Sequence, residues 1–265
     1  MGSVLFALLA AMLVCSASAA LPLSLTKQYS FVAVFDAGSS GTRVHIYRPL
    51  KTGGVISTAS TIPEFAPNPP SKKVKPGLSS FAGKEEQVAA YMAPLSSFIK
   101  ESIEDKAVQT PGGAAPSPDS CLVIFGATAG LRSVPNAAPK LLEAAKNSIS
   151  ALVPCAVGSF RVISGEEEGG YGWISVHALS KLLPGQPNAA DGYWGVLELG
   201  GASMQVTAPL QPPALNDGMT RFKAPFGLHS ELLYSHSFLG YGLDSARRSY
   251  NSFYASKLTA TSPLY

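Results

Sequence analysis

The sequence predicts a mixed α/β protein made of two lobes of related design that face each other across a cleft. Apolar stretches of strand length alternate with stretches whose apolar residues recur at helical spacing. This alternation is typical of a sheet with helices on its faces. In addition, a hairpin with glycines at its tip occurs at residues 38–41, and a similar one occurs at residues 200–203. The repetition of one hairpin design in both halves of the chain indicates two related lobes.

The length and the charge limit the classes of protein to consider. A chain of 265 residues is long enough for one large domain or two modest ones with a substantial core. The net charge of +3 comes from 20 basic and 17 acidic residues, and the basic ones are scattered along the chain. Scattered lysines and arginines are typical of a solvated surface, so we do not expect the protein to bind nucleic acid.

The N-terminal residues predict entry into the secretory pathway. Residues 4–15 (VLFALLAAMLVC) are apolar throughout, and Ala17-Ser18-Ala19 matches a small-residue cleavage site. We expect residues 1–19 to be a signal peptide. The alternative is an uncleaved membrane anchor, for which the apolar stretch is short. In both cases the protein is secreted or membrane-anchored, and its remaining residues are lumenal or extracellular.

In the first half of the chain, strand and helix patterns follow each other. Residues 29–35 (YSFVAVF) and 42–47 (TRVHIY) predict the strands of the first hairpin. Residues 52–83 are rich in Pro, Gly and Ser and predict a surface excursion. A helix is expected from Lys84, and Pro94 inside it would kink or split it. Its apolar positions are Val88, Tyr91, Leu95, Phe98, Ile99 and Ile103.

The alternation continues in the second half. Residues 121–126 (CLVIFG) predict a buried strand, residues 127–130 (ATAG) a turn, and residues 135–152 a helix that Asn136 could cap. A short strand at residues 160–163 leads into a helix that begins with SGEEEGG. Residues 193–199 (YWGVLEL) and 203–208 (SMQVTA) predict the second hairpin, and loops are expected at residues 109–119 and 184–191. Beyond Pro209 the pattern weakens.

Cys121 and Cys155 leave two alternatives open. In an oxidising compartment they could pair as a disulfide. Because Cys121 heads a predicted buried strand, and a free cysteine is often a small buried hydrophobe, we favour an unpaired Cys121. The wide separation of the two cysteines and the lack of an accompanying histidine pair argue against a zinc site.

Both glycine turns are suited to bind phosphate. A phosphate needs several donors close together, and backbone N–H groups supply them where no side chain blocks the approach. The sequences GSSG (residues 38–41) and GGAS (residues 200–203) meet this need. An acid precedes each turn, Asp36 in the first and Glu198 in the second. Such acids could hold a hydrated divalent cation over the phosphates, since Mg²⁺ tends to keep several of its waters.

The sequence also limits the kind of hydrolase. It contains no GxSxG, HExxH or Walker-type GxxxxGK(S/T) pattern. Without a protein nucleophile, hydrolysis needs water and a base, and SGEEEGG supplies three carboxylates at a helix start. The helix dipole accounts for one or two of them, and one remains a candidate general base. The histidines are isolated and are interpreted as structural: His45, His177, His229 and His236.

Four motifs together resemble those of a known family. They are DAGSSGTR (residues 36–43), GATAGLR (126–132), GEEEGGYGW (165–173) and LGGASMQ (199–205). In their order and spacing they resemble the first four conserved regions of the nucleoside triphosphate diphosphohydrolases, the GDA1/CD39 apyrases. SHSFLGYG (235–242) also resembles a segment of this family. The resemblance implies the two-lobed actin/Hsp70/sugar-kinase fold, with RNase H-like lobes, and hydrolysis of nucleoside tri- and/or diphosphates with Mg²⁺ or Ca²⁺.

The resemblance also implies roles for individual residues. Glu168 matches the family's catalytic base, which activates water for attack on the terminal phosphate, and Ser203 and Gln205 match positions that orient this water. Asp36 and Glu198 match the acids that hold the metal through its waters, although the family usually has Asp at the second position. The matches to the phosphate-binding loops are Gly38, Ser39, Ser40, Gly41, Thr42, Thr128, Gly200, Gly201 and Ala202, with Arg43 and Arg132 close by.

Two alternatives to an active apyrase stay open. The predicted lobes are residues 20–165 and 166–265, and the family continues beyond the point that matches Tyr265. We therefore expect a truncated second lobe, and the chain could be an inactive or nucleotide-binding fragment. The other alternative is an exopolyphosphatase or guanosine pentaphosphate phosphatase, whose members share both turns and an SGEEE-like segment. The GGYGW and ATAGLR sequences and the N-terminal leader favour the apyrases.

Overall fold

The computed structural model describes residues 31–47, 69–104, 121–182, 188, 192–209 and 233–261. Its larger sheet has five strands in the spatial order β3-β2-β1-β4-β5. They are β1 (Phe31–Gly38), β2 (Gly41–Tyr47), β3 (Ser71–Val74), β4 (Cys121–Ala127) and β5 (Ala156–Val162). The first three strands form an antiparallel meander, whereas β1, β4 and β5 run parallel to one another.

The centre of this sheet forms the core of the first lobe. Strands β1 and β4 are almost uninterruptedly apolar because they are buried on both faces, as parallel strands usually are. Every residue of β4 is buried. On one face, alternate residues of β1 and β4 form a single core with the buried side chains of α1 (Val88–Glu104) and α3 (Ala138–Leu152). Between β4 and α3 lies the short helix α2 (Ala129–Arg132).

The second unit is a three-stranded antiparallel sheet in the order β6-β7-β8. Its strands are β6 (Val196–Leu199), β7 (Ser203–Pro209) and β8 (Leu233–Leu239). Helix α4 (Gly165–Leu179) leads from β5 into this unit and packs on β7 and β8. Helix α5 (Leu243–Thr261) follows β8. Both predicted hairpins are present, β1–β2 in the first sheet and β6–β7 in the second.

Several local predictions were wrong. Residues 52–83 are not wholly a surface excursion, because β3 joins the large sheet and Leu78 is fully buried. Residues 127–130 are the end of β4 and the start of α2 rather than a turn. Helix α3 begins at Ala138, so Asn136 does not cap it. Pro94 does not split α1, in which it lies on the exposed side. Strand β5 begins already at Ala156.

Cys121 and Cys155 form a disulfide, which corrects the expectation of an unpaired Cys121. Strands β4 and β5 are parallel neighbours in which Leu122 pairs with Ala156. The two cysteines therefore meet at one edge of the sheet, with their Cα atoms 5.0 Å apart, which is a normal separation for a disulfide.

The predicted N-terminal leader, residues 1–19, lies outside the described residues. The loop predicted at residues 109–119, most of the loop at 184–191, and His229 lie outside them as well. Within the described ranges, no helix has the length and apolar character needed to cross a bilayer.

Candidate active site

The two glycine turns face each other across a cavity of about 180 Å³. Most of the residues predicted for the site line this cavity. The first hairpin contributes Asp36, Gly38, Ser39 and Ser40, and Thr128 follows directly after β4. The second hairpin contributes Glu198, Gly200, Gly201, Ala202 and Ser203, and α4 contributes Glu168. The structure therefore brings together residues that are more than a hundred positions apart in the sequence.

The first turn is held by close backbone packing. Gly38 pairs with Gly41, so Ser39 and Ser40 form the tip of a tight hairpin. A Cβ atom at Gly77 would overlap the Ser39 carbonyl oxygen, and one at Gly130 would lie 3.0 Å from the Ser39 Cα. Two glycines from distant segments thus let the neighbouring backbone approach the turn closely.

The second turn is held by the start of α5. The Leu243 N–H donates to the Gly200 carbonyl and the Asp244 N–H donates to the Gly201 carbonyl, both at 2.9 Å. In a trans peptide, the N–H points away from the carbonyl of the same peptide unit. The N–H groups of Gly201 and Ala202 are therefore directed away from α5, and both residues line the cavity. The helix terminus thus orients two donors that suit an anion.

The three acids of SGEEEGG have different environments. Ser164 and Glu167 form a capping box at the start of α4, and Glu167 also pairs with Arg161 through two hydrogen bonds of 2.7 and 2.6 Å. The Glu166 carbonyl accepts a hydrogen bond from Ser235 on β8. Glu168 is the acid that lines the cavity, and its side chain is 16% exposed.

Glycines in the same segment set the depth at which Glu168 lies. A Cβ atom at Gly165 would overlap Ser237, and one at Gly169 would lie 2.6 Å from the hydroxyls of both Ser235 and Thr207. Because positions i and i+4 share one face of a helix, these two glycines let α4 pack directly on β7 and β8. This close packing brings Glu168 within hydrogen-bonding distance of the Gln205 side chain on β7.

Glu168 is part of a hydrogen-bond network that joins the two lobes. Its Oε2 accepts from Arg132 Nη2 at 2.6 Å and from Gln205 Nε2 at 3.1 Å. Arg132 also donates to the Ile163 carbonyl at 3.1 Å and lies 3.4 Å from Ser203 Oγ. Gln205 Nε2 lies 2.7 Å from Ser203 Oγ. The first lobe supplies Arg132 and the second supplies Gln205 and Ser203, so Glu168 is held from both sides.

Burial raises the pKa of all three carboxylates in the cavity, and neighbouring carboxylates add to the shift for Asp36 and Glu198. Burial raises the pKa of Asp36 to about 7, Glu168 adds to this shift, and Arg43 and Lys73 oppose it. Burial also raises the pKa of Glu198 to about 7, with further contributions from Glu168 and Asp36. For Glu168 burial again raises the pKa, but the adjacent Arg132 guanidinium lowers it.

Asp36 and Glu198 fit a hydrated divalent cation. Both carboxylates face the same cavity and repel Glu168, and a cation between them would offset this repulsion. Oxygen ligands are those that Mg²⁺ and Ca²⁺ prefer. Among the residues that the structure describes, no group of three or more His, Cys, Asp or Glu side chains is arranged to bind an ion directly. A cation held by two carboxylates takes its remaining ligands from water and substrate.

Some predicted residues lie away from the cavity. Thr42 is fully buried, and its Oγ1 lies 2.9 Å from the Tyr91 hydroxyl. Gly41 packs against β3, where a Cβ atom would meet the Val74 carbonyl at 2.5 Å. Arg43 is not in contact with the cavity either; it lies opposite Asp36 in the hairpin. These residues belong to the start of β2, directly after the first turn, and they support this turn from behind.

Two residues of the network were underrated or missed at the level of sequence. Arg132 was placed close to the site without a role, and it forms the shortest hydrogen bond to Glu168 that the structure records. Ser237 on β8 was not singled out, although its Oγ lies 3.0 Å from Gln205 Nε2. Ser237 lies within SHSFLGYG (235–242), but that resemblance implies no role for it, and its contact with Gln205 depends on the pairing of β7 with β8.

His177 has the structural environment expected of an isolated histidine. It is fully buried and stacks on Trp173 with ring centroids 3.8 Å apart. Its Nδ1 lies 2.8 Å from the Trp173 carbonyl, and its Nε2 accepts a hydrogen bond from the Trp194 N–H at 2.9 Å. The imidazole therefore fixes the backbone just before β6, which carries Glu198.

Comparison with known proteins identifies relatives of this chain. Residues 23–262 match the GDA1/CD39 (nucleoside phosphatase) family. A nucleoside-triphosphatase of Caenorhabditis elegans is 32% identical, and the alignment covers 83% of this chain and 40% of that protein. The ectonucleoside triphosphate diphosphohydrolase 5 of Mus musculus is 33% identical over 85% of this chain and 50% of its own length. The chain thus spans about half the length of these relatives.

A solved structure supports the fold. Nucleoside triphosphate hydrolases from Neospora caninum superpose with a TM-score of 0.57 at 20% identity, over 86% of this chain and 48% of theirs. The predicted mixed α/β, actin-like fold is therefore confirmed. Since the family match covers nearly the whole sequence, the chain belongs to the GDA1/CD39 (nucleoside phosphatase) family.

Proposed function

We propose that the protein hydrolyses nucleoside tri- and/or diphosphates and releases inorganic phosphate, with Glu168 as the general base. The position of Glu168 carries this proposal: its carboxylate lies between the two glycine turns, within hydrogen-bonding distance of Arg132 and Gln205. A general base has to stand beside the water that attacks the phosphate, and the turns are suited to hold that phosphate. The relatives' names point to the same class of substrate.

In this proposal the terminal phosphate lies between the turns. The N–H groups of Gly201 and Ala202 and the hydroxyl of Ser39 donate to its oxygens. Glu168 accepts a proton from a water molecule, whose oxygen forms a bond to phosphorus. The bond from phosphorus to the bridging oxygen breaks, and the nucleotide leaves with that electron pair. Catalysis then depends mainly on positioning and on electrostatic stabilisation of the transferring phosphoryl group.

The side chains around Glu168 are proposed to orient the attacking water. Gln205 Nε2 lies within hydrogen-bonding distance of both Ser203 Oγ and Glu168 Oε2. Gln205 and Ser203 therefore border the place beside Glu168 where that water would stand. Burial raises the pKa of Glu168 despite the Arg132 guanidinium, and a raised pKa makes a carboxylate a stronger base near neutral pH.

Asp36 and Glu198 are proposed to hold a hydrated Mg²⁺ or Ca²⁺ beside the phosphate. When bound, such a cation neutralises negative charge on the transferring phosphoryl group. Each acid lies near the end of the first strand of its hairpin, close to the glycine turn, so each turn carries its own acid. The cation dependence that the family implies is assigned here to these two side chains.

A second cavity, of about 220 Å³, offers space for the rest of the nucleotide. It shares Ser39, Gly201 and Ala202 with the first cavity, while the three acids do not line it. It therefore adjoins the first cavity at the two turns, apart from the three acids. An in-line attack places the leaving group opposite the attacking water, and we propose that the leaving nucleotide extends into this second cavity.

We also propose that the protein acts in the secretory pathway or outside the cell, secreted or attached to a membrane through residues 1–19. The Cys121–Cys155 disulfide supports this, since disulfides persist in oxidising compartments. The lobes are proposed as residues 20–165 and 166–265, a boundary that falls where β5 passes into α4.

Phosphate release by the purified protein tests the proposed function. Nucleoside di- and triphosphates would be compared with polyphosphate in Mg²⁺, in Ca²⁺ and in EDTA. We expect release from the nucleotides that EDTA abolishes. Release from polyphosphate alone would contradict the proposal in favour of an exopolyphosphatase. Nucleotide binding without release under any condition would favour the inactive fragment.

A further inference from the structure

We infer that Ser237 is a positioning residue for the reaction: its hydroxyl holds the Gln205 amide in the orientation that serves Glu168 and Ser203. The inference rests on the proposed function, because it assigns Ser237 to the same network. Ser237 lies on β8, directly opposite Gln205 on β7. Its Oγ accepts from Gln205 Nε2 at 3.0 Å.

The Gln205 amide faces more acceptors than it has protons. Its two N–H bonds point into a group of three oxygens: Ser203 Oγ at 2.7 Å, Ser237 Oγ at 3.0 Å and Glu168 Oε2 at 3.1 Å. Gln205 is 1% exposed, so the amide lacks ready access to bulk water as a substitute partner. Since the terminal torsion of a glutamine is broad, the oxygens around the amide decide which way it turns.

Helix α4 fixes Ser237 from the other side. A Cβ atom at Gly165 would overlap the Ser237 Cβ and would lie 2.6 Å from its Oγ. The serine is therefore clamped between the first turn of α4 and the Gln205 side chain. Gly165 precedes Glu168 by three positions, so the same turn of helix carries the proposed base. Ser237 thereby holds the Gln205 amide in the orientation in which it donates to the Glu168 carboxylate.

Ser235 provides a matched control on the same strand. It precedes Ser237 by two positions, points to the same face of the sheet and packs against Gly169 of α4. Its hydroxyl donates to the Glu166 carbonyl at 2.9 Å and lies 3.1 Å from Thr207 Oγ1. Removing the Ser235 hydroxyl therefore disturbs the helix–sheet contact without removing a partner of Gln205.

The kinetic test compares Ser237→Ala with Ser235→Ala in the full chain. We expect Ser237→Ala to lower kcat by about 5-fold, the range of one hydrogen bond, with little change in KM. Ser235→Ala should leave kcat unchanged. In a Gln205→Ala background Ser237→Ala should cost nothing further, because its effect passes through Gln205. An unchanged kcat in Ser237→Ala, or the same fall in both backgrounds, would overturn the inference.

A spectroscopic test does not depend on turnover. The side-chain amide signals of Gln205 can be assigned in a ¹⁵N–¹H correlation spectrum from their loss in Gln205→Glu. We expect Ser237→Ala to shift these signals and Ser235→Ala to leave them in place. If the protein released no phosphate but Ser237→Ala still shifted the signals, the proposed function would fail and the positioning contact would stand. If Ser237→Ala left the Gln205 amide signals unshifted, the positioning contact would be overturned even in an active enzyme.

Discussion

The two glycine-tipped hairpins share a turn design but differ in what lies behind their strands. In the first hairpin, β1 and β2 are almost entirely buried within a five-stranded sheet. In the second, β6 exposes Leu197 by 74% and Leu199 by 59%, while Glu198 between them faces the cavity. Alternation along β6 thus separates an apolar outer face from a functional inner one.

The turns themselves are also held differently. Glycine packing from two distant segments fixes the first turn, whereas the N-terminal amides of α5 fix the second. From Ala246 to Lys257, α5 is exposed, so it is supported mainly at its start. One turn chemistry can thus be built on a rigid core or on a single helix terminus. The two hairpins should therefore respond differently to matched substitutions.

The largest effect is expected from the glycines behind the turns. An alanine at Gly77 would overlap Ser39, and one at Gly242 would overlap the Ser203 amide nitrogen. Both variants should lose about 100-fold in kcat/KM, because displaced donors no longer meet the phosphate. Gly77→Ala should also lower the free energy of unfolding by about 1–3 kcal/mol, as overpacking of a rigid site does. Gly242→Ala should destabilise less, since α5 can move away.

Gly195→Ala is the control for this comparison. At Gly195 an added Cβ would meet its nearest atoms at 3.9 Å, an ordinary contact. Chemical denaturation and steady-state kinetics of the three variants supply the readouts. Equal losses of stability in Gly77→Ala and Gly242→Ala would show that the second turn is as rigidly supported as the first.

A second prediction contrasts two arginine–carboxylate pairs. The Arg132–Glu168 pair joins the lobes, with side chains 15% and 16% exposed, while the Arg161–Glu167 pair is 35% and 28% exposed. Arg132→Ala should lower kcat by about 100-fold because Glu168 loses the partner that orients it. Arg161→Ala should leave kcat unchanged and lower the free energy of unfolding by about 1 kcal/mol or less. Similar kinetics for both variants would contradict the role of Arg132.

The third prediction compares the acids of the two hairpins. Glu198 is one methylene longer than Asp36, and its Oε2 lies 3.1 Å from the place where a Cβ at Gly172 would be. Glu198→Asp withdraws the carboxylate, so we expect the Mg²⁺ or Ca²⁺ concentration for half-maximal activity to change by about 10-fold. Glu198→Ala should abolish metal-dependent release. Metal titration curves that coincide with wild type in both variants would remove Glu198 from the cation site.

The smallest effect concerns the anchor of the second hairpin. Burial lowers the pKa of His177, and its Nε2 has to stay unprotonated to accept the Trp194 N–H. Below a pH of about 6.5 the unfolded chain binds a proton here that the folded protein resists. The contribution of His177 to stability should therefore fall as the pH drops from about 7.5 to about 5.5. Asp36 and Glu198, whose pKa values are raised, contribute in the opposite direction, so the effect is measured as a difference: the stability of wild type relative to His177→Asn should decrease over this range. If the melting temperatures of wild type and His177→Asn changed in parallel with pH, His177 would not be the group responsible.

Local patterns explain what the sequence alone could predict. Glycine turns flanked by β-branched and aromatic residues define a hairpin within a dozen positions, so both hairpins were correctly placed. The helix that carries Glu168 was also correct, because its cap and first turn are contiguous in the sequence. The four ordered motifs then led to the family, and each of them contributes residues to one cavity.

The remaining features depend on contacts between distant segments. Strand β3 is recognised by its pairing with β2, and the basic sequence SKKV has no strand pattern of its own. The Cys121–Cys155 disulfide follows from the parallel register of β4 and β5. Likewise, Ser237 reaches Gln205 through the pairing of β7 with β8. Short-range periodicity carries no information about such pairings, so they became visible in the folded chain.

Glu168→Gln isolates the proposed role of Glu168 as the base that activates the attacking water. The amide has nearly the same shape as the carboxylate and can still accept a hydrogen bond from Arg132, but it cannot take a proton from water. We expect phosphate release from the nucleotide to fall by about 10²–10⁴-fold, while the dissociation constant for the nucleotide stays within about 3-fold of wild type. A Glu168→Gln protein that releases phosphate at the wild-type rate would contradict the account.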